Sequence, residues 1–203
     1  MIFTPTRIDG AYVIAPAAIR DERGHFARTW CGKTFQERGL VTQWAQCSVS
    51  FNHHRGTLRG MHYQAAPFAE AKLVRVTRGA IFDVAVDLRP ESPTYQCWAS
   101  VELSADNGYS FYIPAGCAHG FQTIADDAEV YYMISCDYSP THSRGFHWND
   151  EALDIPWPLA PTMISERDQQ LPRVPWIADA ALASSHPGEV ANAAVSTLEG
   201  NSR

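Results

Sequence analysis

Side chains suited to moving protons concentrate in two short segments of this 203-residue chain. The first is Arg59-Gly60-Met61-His62-Tyr63-Gln64, with Lys72 eight residues further on. The second is Gly108 followed by Pro114-Ala115-Gly116-Cys117-Ala118-His119-Gly120-Phe121. The segments carry His62 and His119, and a neutral imidazole titrates in the range needed to move a proton at physiological pH. Lys72 shares its strand face with Val74 and Val76, and an ammonium among apolar neighbours needs a reason to be there. Tyr132 falls on one face with Val130 and Ile134, whereas Glu129, Tyr131 and Met133 take the other, so Tyr132 is placed to line an interior. Packing alone is the blander reading of that tyrosine.

The elements that must carry these residues read as short strands. Tyr12–Ala15, Phe26–Trp30, Trp44–Phe51, Lys72–Thr77, Ile81–Leu88, Tyr95–Leu103, Tyr109–Ile113, Gly120–Ile124 and Glu129–Cys136 are predicted strands. Arg78-Gly79 suits a hairpin turn, and Phe35–Gly39 suits one or two helical turns closed by glycine. Phe82, Val84, Val86 and Leu88 alternate with Asp83, Ala85 and Asp87, the period of a half-buried strand. Strict alternation puts Arg59 and His62 on opposite faces, so both can serve one site only if Gly60 makes a bulge or kink. Such an irregularity is expected. The fold class is therefore all-β, a sandwich or jelly-roll barrel with short peripheral helices.

From Asn149 to Pro175 the text becomes Trp- and Pro-rich, which suits an extended arm wrapping the barrel with a helical turn near Ser165-Glu166-Arg167-Asp168. Asp168 on its own could be a carboxylate at a helix start. Residues 1–177 are expected to form one domain. Residues 178–203, rich in Ala, Ser, Gly and Asn, bury too little apolar surface to offset their ordering entropy and are expected to be mobile or weakly helical.

Composition narrows the function classes. The formal charge of −6 disfavours non-specific nucleic-acid binding through a global positive field, so phosphate on a ligand must be met by local Arg and Lys. Five dispersed cysteines without a C-x-x-C pair read as reduced thiols. The N-terminus lacks the pattern of a signal peptide and no apolar run approaches the ~18 residues of a span, so a cytoplasmic protein without membrane contact is expected.

The later of the two segments resembles the second cupin motif, in which a Gly is followed by Pro-x-Gly-x-x-His. There the Pro and Gly turn one strand into the next and the His points into a small barrel. The first segment would be its partner motif, which usually carries His-x-His and a Glu for metal. Gln64 stands in place of the second His, so metal-free acid–base chemistry is expected, with no cofactor. The ordered set Asp21-Glu22-Arg23-Gly24, Arg59 to Gln64, Lys72-Leu73-Val74-Arg75, Phe82 to Asp87, Ile113 to Phe121, Trp148-Asn149-Asp150 and Ser165 to Asp168 resembles the dTDP-4-dehydrorhamnose 3,5-epimerases across residues 5–172.

That resemblance implies a nucleoside-diphosphate 4-keto-6-deoxyhexose as ligand, with acidic C–H bonds at C3 and C5 on either side of the C4 carbonyl. Epimerisation through an enolate needs a base, an acid on the opposite face and a positive group at the carbonyl oxygen. By similarity His62 is the base, Asp168 its carboxylate partner and Tyr132 the acid, with Lys72 at the enolate oxygen. Arg23 and Arg59 are implied as ligand contacts, with Gln46, His119, Tyr138 and Arg167 lining the site. The resemblance also implies a homodimer with exchanged N-terminal strands. The chain departs from the family's pattern at Arg28 and Ser143, where a Glu is usual, at Ser48, where an Asn is usual, and at Arg167, where a Lys is common. These departures bear on which nucleotide and hexose are taken and on whether C3, C5 or both invert. Three alternatives stand beside this reading: an enzyme acting at one carbon or on a CDP- or GDP-sugar, a metal-dependent cupin using His62, Glu70 and His119, and a binding module without catalysis.

Overall fold

A computed structural model of the chain describes residues 1–174 and 188–190. Its strands are β1 (Ile2–Pro5), β2 (Tyr12–Ala15), β3 (Ala18–Asp21), β4 (Gly24–Ala27), β5 (Gln46–Asn52), β6 (Thr57–Gln64), β7 (Lys72–Arg78), β8 (Ala80–Asp87), β9 (Trp98–Ser104), β10 (Ser110–Ile113), β11 (Cys117–Thr123), β12 (Ala128–Ile134), β13 (Ser143–Gly145), β14 (Met163–Ile164) and β15 (Gly188–Val190). Two short helices, α1 (Gly32–Gln36) and α2 (Glu166–Gln169), complete the set. One sheet runs β1-β2-β10-β7-β12-β5, and the other β13-β6-β11-β8-β9-β15 with β14 beside β6. β3 and β4 form a separate hairpin. The all-β jelly-roll class is what the strand pattern predicts.

The two sheets close on a shared interior. Val74, Val76, Phe111, Ile113 and Val130 from the first sheet meet Ile81, Ala85, Val101, Leu103 and Phe121 from the second in one buried cluster. Antiparallel partners point to the same side of a sheet. The pairings Lys72 with Ile134 and Val74 with Tyr132 therefore put Lys72 and Tyr132 on this inward face, as their parity predicts.

The expectation for β8 needs correction. It is buried on both faces rather than half-buried, with Asp83 and Asp87 fully inaccessible. Val84 and Val86 pack outward in a cluster with Met61, Trp98 and Phe146 and with Leu153, Ile155 and Val174 from the underside of the Pro/Trp-rich arm. Asp83 and Ala85 face the barrel lumen through their pairing with Phe121 and His119. A polar lumen and bulk solvent write the same alternation into a sequence, and only the arm tells them apart. The outer face of the first sheet is covered at one end by Phe35 of α1 with Trp30, Leu40 and Trp44, which pack on Leu73, Tyr112 and Met133.

β6 carries the irregularity expected at Gly60. His62 pairs with His119 and Arg59 with Phe121, so three steps along β6 span two along β11. This extra residue turns Arg59 and His62 to one face. Gly60 has φ +134°, and a Cβ there would lie 2.6 Å from the Gly120 backbone, so two glycines have to face each other at the bulge. The predicted tail 178–203 lies outside the described residues except for β15, which runs parallel to β9.

Gly60→Ala is expected to cost about 3 kcal/mol through its forbidden φ and backbone overlap, lowering the melting temperature by roughly 6–12 °C. Thermal unfolding of the purified variant checks this, and a melting point within about a degree of the parent would contradict the close approach.

Candidate active site

One cavity of about 720 Å³ opens between the sheets, lined by Gln46, Ser48, Ser50, Arg59, His62, Glu70, Lys72, His119, Phe121, Tyr132, Ile134, Tyr138, Arg167 and Asp168 among others. That volume suits a drug-sized or nucleotide-sized ligand. His62 and His119 enter from the second sheet, whereas Lys72 and Tyr132 enter from the first. Base and phenol candidates thus face the same space from opposite walls.

His62 is held from behind. Its Nε2 lies 2.7 Å from Oδ1 of Asp168, whose Oδ2 accepts the backbone N–H of Gly60 at 3.2 Å. Asp168 is buried; burial pushes its carboxyl upward, but His62, Gly60 and Ser165 outweigh that and hold it below the usual carboxylate range. An ionised carboxylate only accepts, so in the neutral ring Nε2 carries the proton and Nδ1 the lone pair. Ser165 caps α2 by accepting the N–H of Asp168 at 3.1 Å, which fixes the carboxylate's backbone.

A second imidazole–carboxylate couple lies beside the first. His119 Nε2 is 2.6 Å from Asp83 Oδ1, both residues being buried. Burial pushes the Asp83 carboxyl up, opposed by His119 and Lys72, and its Oδ2 is buried without a hydrogen-bond partner. Tyr132 meets His119 edge-on, with ring centroids 5.9 Å apart. Burial first, and then the negative charge of Asp83, push the Tyr132 phenol up against the opposing influence of Arg59. At neutral pH that phenol keeps its proton and can donate it.

Lys72 Nζ pairs with Glu70 at 3.1 Å, both largely buried. Arg59 lines the cavity and donates its Nε–H to Asn52 Oδ1 at 2.7 Å. Gln46, Tyr138 and Arg167 also line it, and Arg167 donates to the Ser143 hydroxyl at 2.8 Å. Of the residues named from sequence, Arg23 alone stands apart. It sits at the turn of the β3–β4 hairpin, exposed and bound to Asp21 at 2.6 Å, and does not line this cavity. Asp83, Asn52 and Ser165 belong to the site's framework and were not legible as such. The alternation in β8 carried the signal for Asp83 once its partner face is known to be a lumen. Among the described residues no three His, Cys, Asp or Glu side chains are grouped to hold a metal ion.

The sequence pattern of dTDP-4-dehydrorhamnose 3,5-epimerase matches residues 5–175. This chain belongs to the dTDP-4-dehydrorhamnose 3,5-epimerase family. It is 43% identical over 173 residues to the dTDP-4-dehydrorhamnose 3,5-epimerase of Sinorhizobium fredii, covering 85% of this chain and 89% of that one. The Bacillus anthracis epimerase, solved with TDP and pyrophosphate bound, superposes with a TM-score of 0.82 at 38% identity over 85% of this chain and 99% of its own. A Legionella pneumophila dTDP-6-deoxy-D-glucose-3,5-epimerase, solved with dTDP-4-keto-L-rhamnose, gives 0.81 at 36% identity over 87% and 94%. The cupin-type barrel of this epimerase family is the fold described above.

The depressed Asp168 carboxyl sets a pH dependence. A carboxyl held below its unfolded value near ~3.9 contributes stability above that pH and loses it as pH falls through the folded value. The stability gap between the parent and Asp168→Asn should therefore be level above about pH 5 and close on acidification below about pH 4. Denaturant titrations across pH check this; an equal gap at both ends would remove the ionised Asp168.

Proposed function

We propose that this chain epimerises dTDP-4-dehydro-6-deoxy-D-glucose at C3 and C5 to dTDP-4-dehydro-L-rhamnose, with its own side chains and no cofactor. One observation carries the reading: in a member of this family, a carboxylate-backed imidazole and a proton-bearing phenol face one cavity from opposite sheets. His62 Nδ1 takes the proton from C5 or C3, and the C–H electrons move into the C4 carbonyl to give an enolate. The Lys72 ammonium stabilises the enolate oxygen. Tyr132 then donates its phenolic proton to the opposite face of the carbon, and the carbonyl reforms. Solvent returns a proton to Tyr132 and receives the one held by His62, so the enzyme ends unchanged. Asp168 keeps the imidazole in the tautomer that accepts at Nδ1.

Arg59 and Arg167 suit the diphosphate, since a guanidinium fork matches phosphate oxygens. Arg23 reaches a cavity only in a dimer that exchanges N-terminal strands. Among the described residues the β3–β4 hairpin pairs with no other strand, and its Ile19 and Phe26 are 73% and 72% exposed. Val49 and Phe51 are likewise exposed on the edge strand β5. Apolar side chains on an unpaired hairpin and an open sheet edge suit a second copy, whose cavity would receive Arg23. Five free cysteines suit a reducing cytoplasm.

The reaction is tested by following H3 and H5 of the 4-keto sugar nucleotide by NMR in deuterium oxide. Exchange at both carbons is expected with the dTDP sugar, and His62→Ala should abolish it. Tyr132→Phe should lose epimer formation by a larger factor than exchange, because the base remains and the donor is gone. Exchange at C3 alone supports the single-carbon activity, preference for a CDP- or GDP-sugar reassigns the nucleotide, and no exchange with any of them defeats the epimerase reading.

Complementation tests the dimer. Arg23→Ala and His62→Ala proteins should each be impaired alone. Unfolded together and refolded as a mixture, they should regain roughly a quarter of parental activity, because half of the dimers are mixed and each holds one intact site. No recovery would place Arg23 outside its neighbour's cavity.

A further inference from the structure

Gln64 does not line the cavity, yet it bonds to the supports of two residues that do, Lys72 and Tyr138. The side chain is 4% exposed, at the last position of β6. Its Nε2 donates to Glu70 Oε2 at 2.8 Å, to the Asp137 carbonyl at 3.1 Å and to the Phe68 carbonyl at 3.2 Å. Its Oε1 accepts the backbone N–H of Ser139 at 2.6 Å. Glu70 in turn holds Lys72 Nζ at 3.1 Å through its other oxygen. Asp137 and Ser139 flank Tyr138, which stands at the cavity mouth with 58% of its surface exposed.

We infer that Gln64 is a positioning residue that sets the Lys72 ammonium at the inner end of the site and the Tyr138 turn at its mouth through one buried amide. This inference rests on the epimerase reading above. Toward the mouth, the amide supplies the carbonyl before Tyr138 with a donor and the N–H after it with an acceptor, the service a neighbouring strand gives a residue in a sheet. Tyr138 therefore extends from a turn fixed on both sides while its own ring remains free for a ligand. Toward the interior, the same amide orients Glu70 so that its other oxygen faces Lys72. The ammonium is then held at a defined place before any ligand enters, and no reorganisation is left for the moment of reaction.

Chemistry accounts for the residue type. The site needs two N–H donors, shared among three acceptors, and one acceptor in the same plane, which a primary amide supplies. A neutral imidazole has one N–H too few for this pattern. A carboxylate would oppose Glu70 and both carbonyls. Asparagine has the right groups but is a methylene short of reaching both ends.

The test compares Gln64→Met, Glu70→Gln and the double variant, measuring kcat for epimerisation and, separately, the affinity for dTDP by calorimetry. Gln64→Met should lower kcat about 100-fold, the scale of a 1 Å misplacement of a charged group, and weaken dTDP binding about 10-fold by loosening the turn around Tyr138. Glu70→Gln should lower kcat by a similar factor while moving dTDP affinity by less than about 2-fold. In the double variant the two losses in kcat should not multiply, since both act through the one ammonium. Gln64→Asn should give the same paired loss, smaller in size, and it replaces Gln64→Met if that protein fails to fold. Multiplicative losses in kcat, or unchanged dTDP affinity in both Gln64 variants, would overturn the inference. An inactive parent that still binds dTDP would defeat the epimerase reading, and the catalytic half of this inference with it.

Discussion

The approach of Gly60 to Gly120 across β6 and β11 governs where the functional side chains end up. Side-chain direction alternates along a strand, so Arg59 and His62 belong on opposite faces of a regular β6. The extra residue at Gly60 shifts the phase, and pairing of Arg59 with Phe121 and His62 with His119 returns both to the lumen. Only glycines tolerate the contact, because a Cβ on Gly120 would strike the Met61 sulfur at 2.5 Å and the Arg59 carbonyl at 2.9 Å. The same backbone step presents the Gly60 N–H to Asp168, so the bulge that aims the His62 imidazole also anchors the carboxylate behind it.

Around that step the barrel divides its labour between two walls. The second sheet supplies imidazoles, each backed by a carboxylate, and the first supplies an ammonium and a phenol. A proton taken at one wall and returned at the other reaches opposite faces of a planar centre, which is the geometric requirement of epimerisation. The apolar cluster beneath the site keeps water from screening these charges, so each pairing is stronger than it would be in solvent. The Pro/Trp-rich arm completes the arrangement by covering the outer face of the second sheet and then delivering Asp168 at the end of a capped turn.

How legible this was depended on the distance over which each fact is decided. The strand order in sequence, the inward parity of Lys72 and Tyr132 and the need for a kink at Gly60 all follow from local alternation. Asp83 was missed because alternation marks a polar face without saying whether water or a lumen lies beyond it. The start of β9 at Trp98 rather than Tyr95 reflects the turn before it, where Arg89, Ser92 and Thr94 converge on the buried Asp87. Those partners are set by a network, and no periodicity announces it. Arg23 shows the opposite case: resemblance implies a ligand contact, whereas within a single chain its hairpin holds it against Asp21 in solvent.

What the sequence alone determined was the all-β class, the inward parity of Lys72 and Tyr132 and, through an ordered set of motifs, the family, because these depend on residue type and short-range spacing. Tertiary structure brought Asp168 behind His62 and Asp83 behind His119, joined Gln64 to Glu70 and to the backbone on either side of Tyr138, and decided which polar face is a lumen. Those contacts join residues such as His62 and Asp168, whose separation of 106 positions leaves no periodic trace. A hydrogen bond is decided by distance and angle in space, and only closure of the two sheets brings such partners within reach.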